Sequence, residues 1–463
     1  MNGFIKSSTI ILQKSNGEIL LGLRSKELRS FPDFWVFPGG KIEEELPDDW
    51  IGDEIASVDQ VLQELYEETG IVAGSPDVIP RDKRNESANQ FVLDYRARDE
   101  FKLSLVFSGR RQTPPFLPRI FDAAYFYSNH KMIDSFEGEP DGTEIIELVW
   151  MTPVDIISKW SLGNMKIPPP VLHFIMLMTR TDRFIDISLT ETELPVGLQT
   201  KIEFAPGFQI IPIESDTIAP FSHTNLILIE NRDEAMLVDP GAKNDSFEHF
   251  RQILQTLDQT PKIFLTHDHL DHWNALPVIE DLFPDAIIYG HELTLSRIET
   301  TLVKSSVSSG NIEIGDITLQ VLHTPGHTDG HLTLFNKTRG ILIAGDHVVG
   351  IGSAVLSAST GNMTKYFTST QMLIDLQPKL VYPAHGPVNF NPVKLLKYYI
   401  KHRTQREISI LQAVNNGAMT LDDIVKTVYV DVSRELWEFA KTNIKLHLEK
   451  LFEEGRINEL ITH

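Results

Sequence analysis

The 463-residue chain contains no cysteine. Disulfides and thiolate ligands are therefore excluded, and any bound metal must be held by His, Asp and Glu. Such donors suit zinc, manganese or iron. The chain also lacks an apolar run near the roughly 20 residues that a membrane helix needs. Its first apolar stretch, residues 10–12, follows no basic leader and reads as strand. The expected location is cytoplasmic, with no membrane partner. Positive charge is scarce as well: 42 Lys+Arg stand against 64 Asp+Glu, a net charge of −22. An acidic surface disfavours binding to phosphate backbones.

The acidic excess is uneven. Residues 1–185 carry −9, residues 186–390 carry −14 and residues 391–463 carry +1. The same boundaries separate three sequence patterns, and the length fits several cores better than one. The first segment opens on strand-like STIILQ and EILLGLR, then reaches a Gly-Gly turn in FPDFWVFPGGKIEEE. VDQVLQELYEETG predicts a helix with Val58, Val61, Leu62 and Leu65 on one face and Gly70 as its stop. LSLVFSG and AAYFYSN read as strands, VDIISKW and VLHFIMLM as helices. A polar stretch near 181–205 marks the first boundary.

The second segment reads as strands alternating with shorter helices: NLILIE, AMLVDPG, KIFLTHDH, AIIYG, ITLQVLH, LTLF, ILIAGDH and LVYPAHG. That pattern predicts layered α/β architecture. The third segment is helical. Thr420 and Asp423 form a capping-box pair at one helix start, and a longer amphipathic helix ends at Gly455.

THDHLDH, residues 266–272, concentrates metal donors. In an extended chain residues i and i+2 point the same way, so His267 and His269 can grip one ion. After a turn, Asp271 and His272 can face a second ion. Further donors follow strand-like runs: His327 in HTPGHTDGH, Asp346 in IAGDH and His385 in YPAHG. Loop ligands at strand ends are a common way for α/β sheets to build sites. Two cations about 3.5–4 Å apart can share a hydroxide and polarise a carbonyl or phosphoryl oxygen, which suits hydrolysis.

THDHLDH, HTPGHTDGH, GDH and PAHG, in that order and with LVDPG at 237–241 and HTNLILI at 223–229, resemble the metallo-β-lactamase superfamily over roughly residues 200–390. The resemblance implies an αββα sandwich. It implies that His267, His269 and His327 hold the first metal, that Asp271, His272 and His385 hold the second, and that Asp346 lies between them. Two zinc ions, or manganese or iron, are the expected cofactors. Asp271 is also expected to orient the attacking water. Asp239 is expected to support the turn or the ligands, His323 and His347 to be structural, and His331 to lie near the substrate.

The tail, KYYIKHRTQREISIL with TLDDIVKTVY and AKTNIKLHLEKLFEEGRI, looks like the small winged-helix domain of one branch of that superfamily. The branch includes glyoxalase-II-like hydrolases and single-strand endoribonucleases. A small-molecule ester or thioester is the first substrate expected, and RNA the second.

QELYEETGI after GGKIEEE resembles a Nudix box and implies an α/β/α sandwich. Helical spacing puts Glu64, Glu67 and Glu68 on one face. Crowded carboxylates repel unless a cation sits among them, and oxygen donors suit magnesium. Glu64 is the expected catalytic carboxylate. Two departures stand out. The box is enlarged by ELPDDWIGDEIASVDQ, and Gln63 occupies the usual arginine position. Cleavage or sensing of a nucleoside diphosphate-linked compound, such as coenzyme A, is the expected role. The expected whole is a multidomain α/β hydrolase. The sequence carries no signal for an oligomeric state.

Overall fold

The computed structural model describes residues 5–28, 30–42, 55–72, 105–112, 120–180, 202–350, 352–430 and 432–461. Two compact units divide the chain, Met1–Pro206 and Gly207–His463. The enlarged part of the Nudix-like box, residues 43–54, lies outside the described residues, as does most of the polar stretch from 181.

In the first unit, strand parity builds a three-layer stack. One sheet runs Gly39–Lys41, Ile5–Leu12, Phe121–Ser128, Val106–Gln112, with the two central strands parallel. Ile10 and Leu12 pack with Val61, Leu62 and Leu65 of the helix Ile55–Thr69. Ile11 points the other way, among Ile156, Trp160, Phe174 and Ile175 of the helices Pro153–Ser161 and Pro169–Arg180. Period-two alternation in one strand thus joins two helical layers. The first helix stops as its sequence predicts, with Gly70 at φ +69° donating its N–H to Tyr66 O.

The second unit pairs two sheets. One runs Val303–Ser306, Ile287–Gly290, Lys262–Phe264, Glu234–Val238, His223–Asn231, Phe208–Glu214. The other runs Ser309–Ile314, Ile317–His323, Leu332–Asn336, Ile341–Gly345, Leu380–Pro383. The helices Phe247–Leu254 and Leu276–Leu282 cover the first sheet through Phe250, Ile253, Leu276 and Ile279. The helices Met363–Asp375 and Pro392–Asn415 cover the second through Leu373, Leu396 and Tyr399. The result is the expected αββα sandwich.

The tail helices Pro392–Asn415, Leu421–Val428 and Trp437–Glu453 share a core of Ile410, Ile424, Val425, Ile444 and Leu448. The Thr420–Asp423 capping box is formed in both directions. No described helix is long and apolar enough to cross a membrane.

Candidate metal centre

Both sheets of the sandwich deliver donors at strand ends. Lys262–Phe264 leads into the loop with His267, His269, Asp271 and His272; Ile341–Gly345 ends beside Asp346; Leu380–Pro383 ends before His385. His327 follows the strand Ile317–His323. Among the described residues, two groups have ligand atoms all within 4.8 Å of one another: His267, His269, His327 and Asp346, and then Asp271, His272 and His385.

The first group is the tighter. His267 Nε2 lies 2.9 Å from His269 Nδ1, and His327 Nε2 lies 3.2 Å and 3.1 Å from those two atoms. Tetrahedral zinc with N ligands at 2.0–2.1 Å separates its ligand atoms by about 3.3 Å. The three nitrogens already stand at that spacing. Asp346 Oδ2 lies 4.0, 3.7 and 3.6 Å from the Nε2 atoms of His267, His327 and His272. Its Oδ1 lies 3.3 Å from His385 Nε2, and Asp271 Oδ2 lies 3.3 Å from the same nitrogen. Asp346 therefore stands between the two groups.

Hydrogen bonds fix which nitrogen His267 and His385 present. Thr266 Oγ1 donates to Asp239 Oδ2 and so accepts from His267 Nδ1 at 3.0 Å, leaving Nε2 as the donor atom for a metal. His385 Nδ1 donates to the His223 carbonyl at 2.9 Å, which frees its Nε2. Asp239 Oδ2 lies 3.0 Å from His272 Nδ1, an ion-pair contact on the side of the ring away from Asp346. Such outer partners orient metal-binding histidines and raise their basicity. Asp239 therefore supports both ligand sets; its positive φ of +54° and its N–H bond from Thr266 bend the strand end so that it can.

The electrostatics fit cations. Burial first, and neighbouring histidines second, hold His267 well below its usual pKa. Burial lowers His327 to about 3 against the pull of Asp346. Both are neutral, as ligands must be. Burial opposes charge on His272, yet Asp346, Asp271 and Asp239 together raise it well above normal. Those carboxylates hold a proton where a cation would stand. His272 Nε2 is buried and makes no hydrogen bond. The donors present thus fit two divalent ions.

The remaining expectations divide. His347 is buried, bonds Thr370 Oγ1 and stacks on Tyr366, a structural place. His323 is exposed and stacks on His291. His331 was expected near the substrate. It is instead fully buried, its ring 5.3 Å from that of His267, so it presents no surface to a substrate. In the first unit, Glu64 and Glu68 converge on the Gly-Gly strand, and Glu67 stands exposed on the same helix. Gly39 N–H donates to Glu68, and the Glu64 carboxylate packs against Gly40. Glu67 is exposed and accepts from Gln63 at 2.9 Å. Burial first, then Glu67, raises Glu64 to about 7.

Gly241 tests the loop geometry. A Cβ there would stand 1.6 Å from the Asp271 carbonyl oxygen. Gly241→Ala is expected to displace that loop and to lower stability by about 1–3 kcal/mol. Weaker binding at the group containing Asp271, measured by metal titration, should accompany it. Unchanged binding and melting would refute this contact.

Residues 219–385 match the family described as Metallo-beta-lactamase superfamily. The chain is 31% identical over 250 residues to Beta-lactamase-like protein 2 homolog of Drosophila melanogaster, covering 50% of this chain and 84% of that protein. The chain belongs to the metallo-beta-lactamase superfamily. Residues 420–460 match the Beta-lactamase associated winged helix domain, as the tail's sequence led us to expect. The hydroxyacylglutathione hydrolase of Tolumonas auensis is 32% identical over 177 residues, 37% of this chain and 65% of that one. The Atrochrysone carboxyl ACP thioesterase of Passalora fulva is 25% identical over 251 residues, 51% of this chain and 73% of that one. This chain is a hydrolase of the metallo-beta-lactamase superfamily.

Proposed function

We propose that the second unit hydrolyses a small acyl thioester or ester at a two-cation centre, with zinc as the expected metal and manganese or iron as alternatives. The spacing of His267, His269 and His327, with Asp346 between them and the second donor group, carries this reading. His267, His269 and His327 would hold one ion; Asp271, His272 and His385 would hold the other; Asp346 would serve both. Bound cations supply Lewis acidity toward a substrate carbonyl and lower the pKa of water.

The chain's own residues do the positioning. Burial would raise the Asp271 carboxyl, but His272 and His385 outweigh it and hold it down to about 2. The ionised carboxylate orients the attacking water. His331 and His347 are fully buried and engaged by Thr324 and Thr370, so neither is placed to protonate a leaving group. A thiolate departs without that help, since a thiol has a pKa of about 8.5. Two of the relatives carry thioester chemistry in their names, a hydroxyacylglutathione hydrolase and an acyl carrier protein thioesterase. RNA is the competing substrate. The acidic middle segment, at −14, speaks against it.

The test is hydrolysis by zinc- or manganese-loaded chain of acyl-coenzyme A, acyl-glutathione and a short single-stranded RNA, with Asp346→Ala alongside. Thioester cleavage lost in the variant supports the reading. RNA cleavage lost in the variant, with inert thioesters, replaces it.

For the first unit we infer a Nudix-like domain that takes a nucleoside diphosphate-linked compound through magnesium. Its support is the docking of Glu64 and Glu68 against residues 39 and 40, where their mutual repulsion favours a cation. Magnesium-dependent cleavage of coenzyme A should fall at least about tenfold in Glu64→Gln. Binding without cleavage would make the unit a ligand sensor instead.

A further inference from the structure

Arg297 follows the short helix Glu292–Ser296 and belongs to neither donor group. Its Nη1 and Nη2 each donate to Asp329, to Oδ1 and Oδ2, both at 2.7 Å. Nη1 also donates to Asp268 Oδ2 at 3.1 Å. Asp268 sits between His267 and His269, and Asp329 stands two residues after His327. One guanidinium therefore ties together the two loops that bring three imidazoles within 3.2 Å.

We propose that Arg297 is a positioning residue for the first metal site, a clamp that holds the loop of His267 and His269 against the loop of His327. The inference rests on reading those three histidines as ligands of one ion.

The chemistry favours a clamp over a substrate-binding cation. A planar fork bound to a carboxylate fixes orientation as well as distance, which a lysine does not. The charge of Arg297 is already met by two carboxylates, so little is left for an anionic substrate. Other contacts stiffen both ends. Trp273 Nε1 donates to the Asp268 carbonyl at 3.1 Å, and His323 Nε2 donates to the Asp329 carbonyl at 2.9 Å. With both loops braced, the fork sets the separation between them.

The experiment is zinc titration of the metal-stripped full chain against a competing chromophoric chelator, with thermal melting of the metal-free protein beside it. Wild type, Arg297→Gln, Arg297→Lys, Asp329→Asn and His267→Ala are compared. The binding step that His267→Ala removes identifies the first site. At that step Arg297→Gln should weaken zinc about 10–100-fold. The other step should change by less than about threefold, since its donors touch none of these groups. Arg297→Lys should recover only part of the loss. Asp329→Asn should cost a similar or smaller factor and add little to Arg297→Gln, because the arginine substitution already removes the contact to Asp329 along with that to Asp268. Melting of the metal-free chain should move by no more than about 3 °C.

Unchanged zinc affinity in Arg297→Gln overturns the clamp. Equal weakening at both steps with a lower melting temperature also overturns it, since general loosening has that signature. A wild-type chain that takes up no zinc, manganese or iron, or a His267→Ala variant that binds as wild type does, defeats the metal-site reading itself, and the clamp with it.

Discussion

Replacing Asp346 by alanine is expected to slow hydrolysis by about 10³-fold or more, about 4 kcal/mol of barrier. Asp346 is the carboxylate that comes within 4.0 Å of His267, His272, His327 and His385 together. Its removal would leave each donor group short of an oxygen and take away the negative charge that two cations there would share. The loop that carries it should survive the change. Tyr366 OH donates to the His347 carbonyl at 2.8 Å, and Tyr399 OH donates to the Val349 carbonyl at 2.7 Å. Both tyrosines are buried and come from helices that cover the second sheet. The variant should therefore melt close to wild type when metal-free, while elemental analysis finds fewer than two ions per chain. Activity within tenfold of wild type, with both ions retained, would remove Asp346 from its proposed place.

The donors were legible because their spacing is local. His267 and His269 alternate in an extended segment, and each later donor follows a strand-like run, so the parity of one strand and the ends of several were enough. Their supporters were legible only in part. Asp239 is expected from sequence to support the turn or the ligands, but which ones it reaches is set only when the strands Glu234–Val238 and Lys262–Phe264 pair and bring Thr266 and His272 to it. Arg297 gave no signal at all; its partners lie 29 and 32 residues away in sequence. In the first unit, helical spacing placed three glutamates on one face, but that face is wide. Glu68 is turned to the sheet, whereas Glu67 lies at the solvent edge and is taken by Gln63, four residues earlier. The strands Phe208–Glu214, Val303–Ser306 and Ser309–Ile314 also escaped notice. Val303–Ser306 is mostly exposed and polar and has no apolar alternation to read, and Ser309–Ile314 alternates only over its last three residues, Ile312 to Ile314. The tail's helices were clear from period and caps, yet nothing local indicated that Tyr399, on the first of them, would reach the segment after Asp346.

Glu407→Ala should destabilise the tail by about 1.5–3 kcal/mol at neutral pH. Glu407 lies on the helix Pro392–Asn415 and is only 5% exposed. His447 Nδ1 at 3.3 Å, Lys450 Nζ at 3.0 Å and Arg456 Nη1 at 2.8 Å converge on its carboxylate. His447 and Lys450 belong to the helix Trp437–Glu453, so this carboxylate joins two of the three tail helices. Removing it leaves Lys450 and Arg456 to share the partly exposed Glu454 carboxylate, at 2.7 and 3.2 Å, as their remaining counter-charge. The effect must depend on pH in a definite sense. Burial alone would raise Glu407, but the hydrogen bonds from His447 and Lys450 outweigh it and hold the folded-state pKa down to about 2. A depressed carboxyl stabilises the fold above its unfolded value, near 4.5, and loses that contribution as pH falls toward 2. Chemical unfolding of metal-free wild type and variant at pH 7, 5 and 3 should give a stability gap that does not shrink between the first two values, where Glu407 favours protonation of His447 in the wild type alone. At the third the gap should shrink. Metal ligands titrate alike in both proteins and cancel in the difference. A gap that stays the same at pH 3 would mean that the side chain acts through packing, not through its charge.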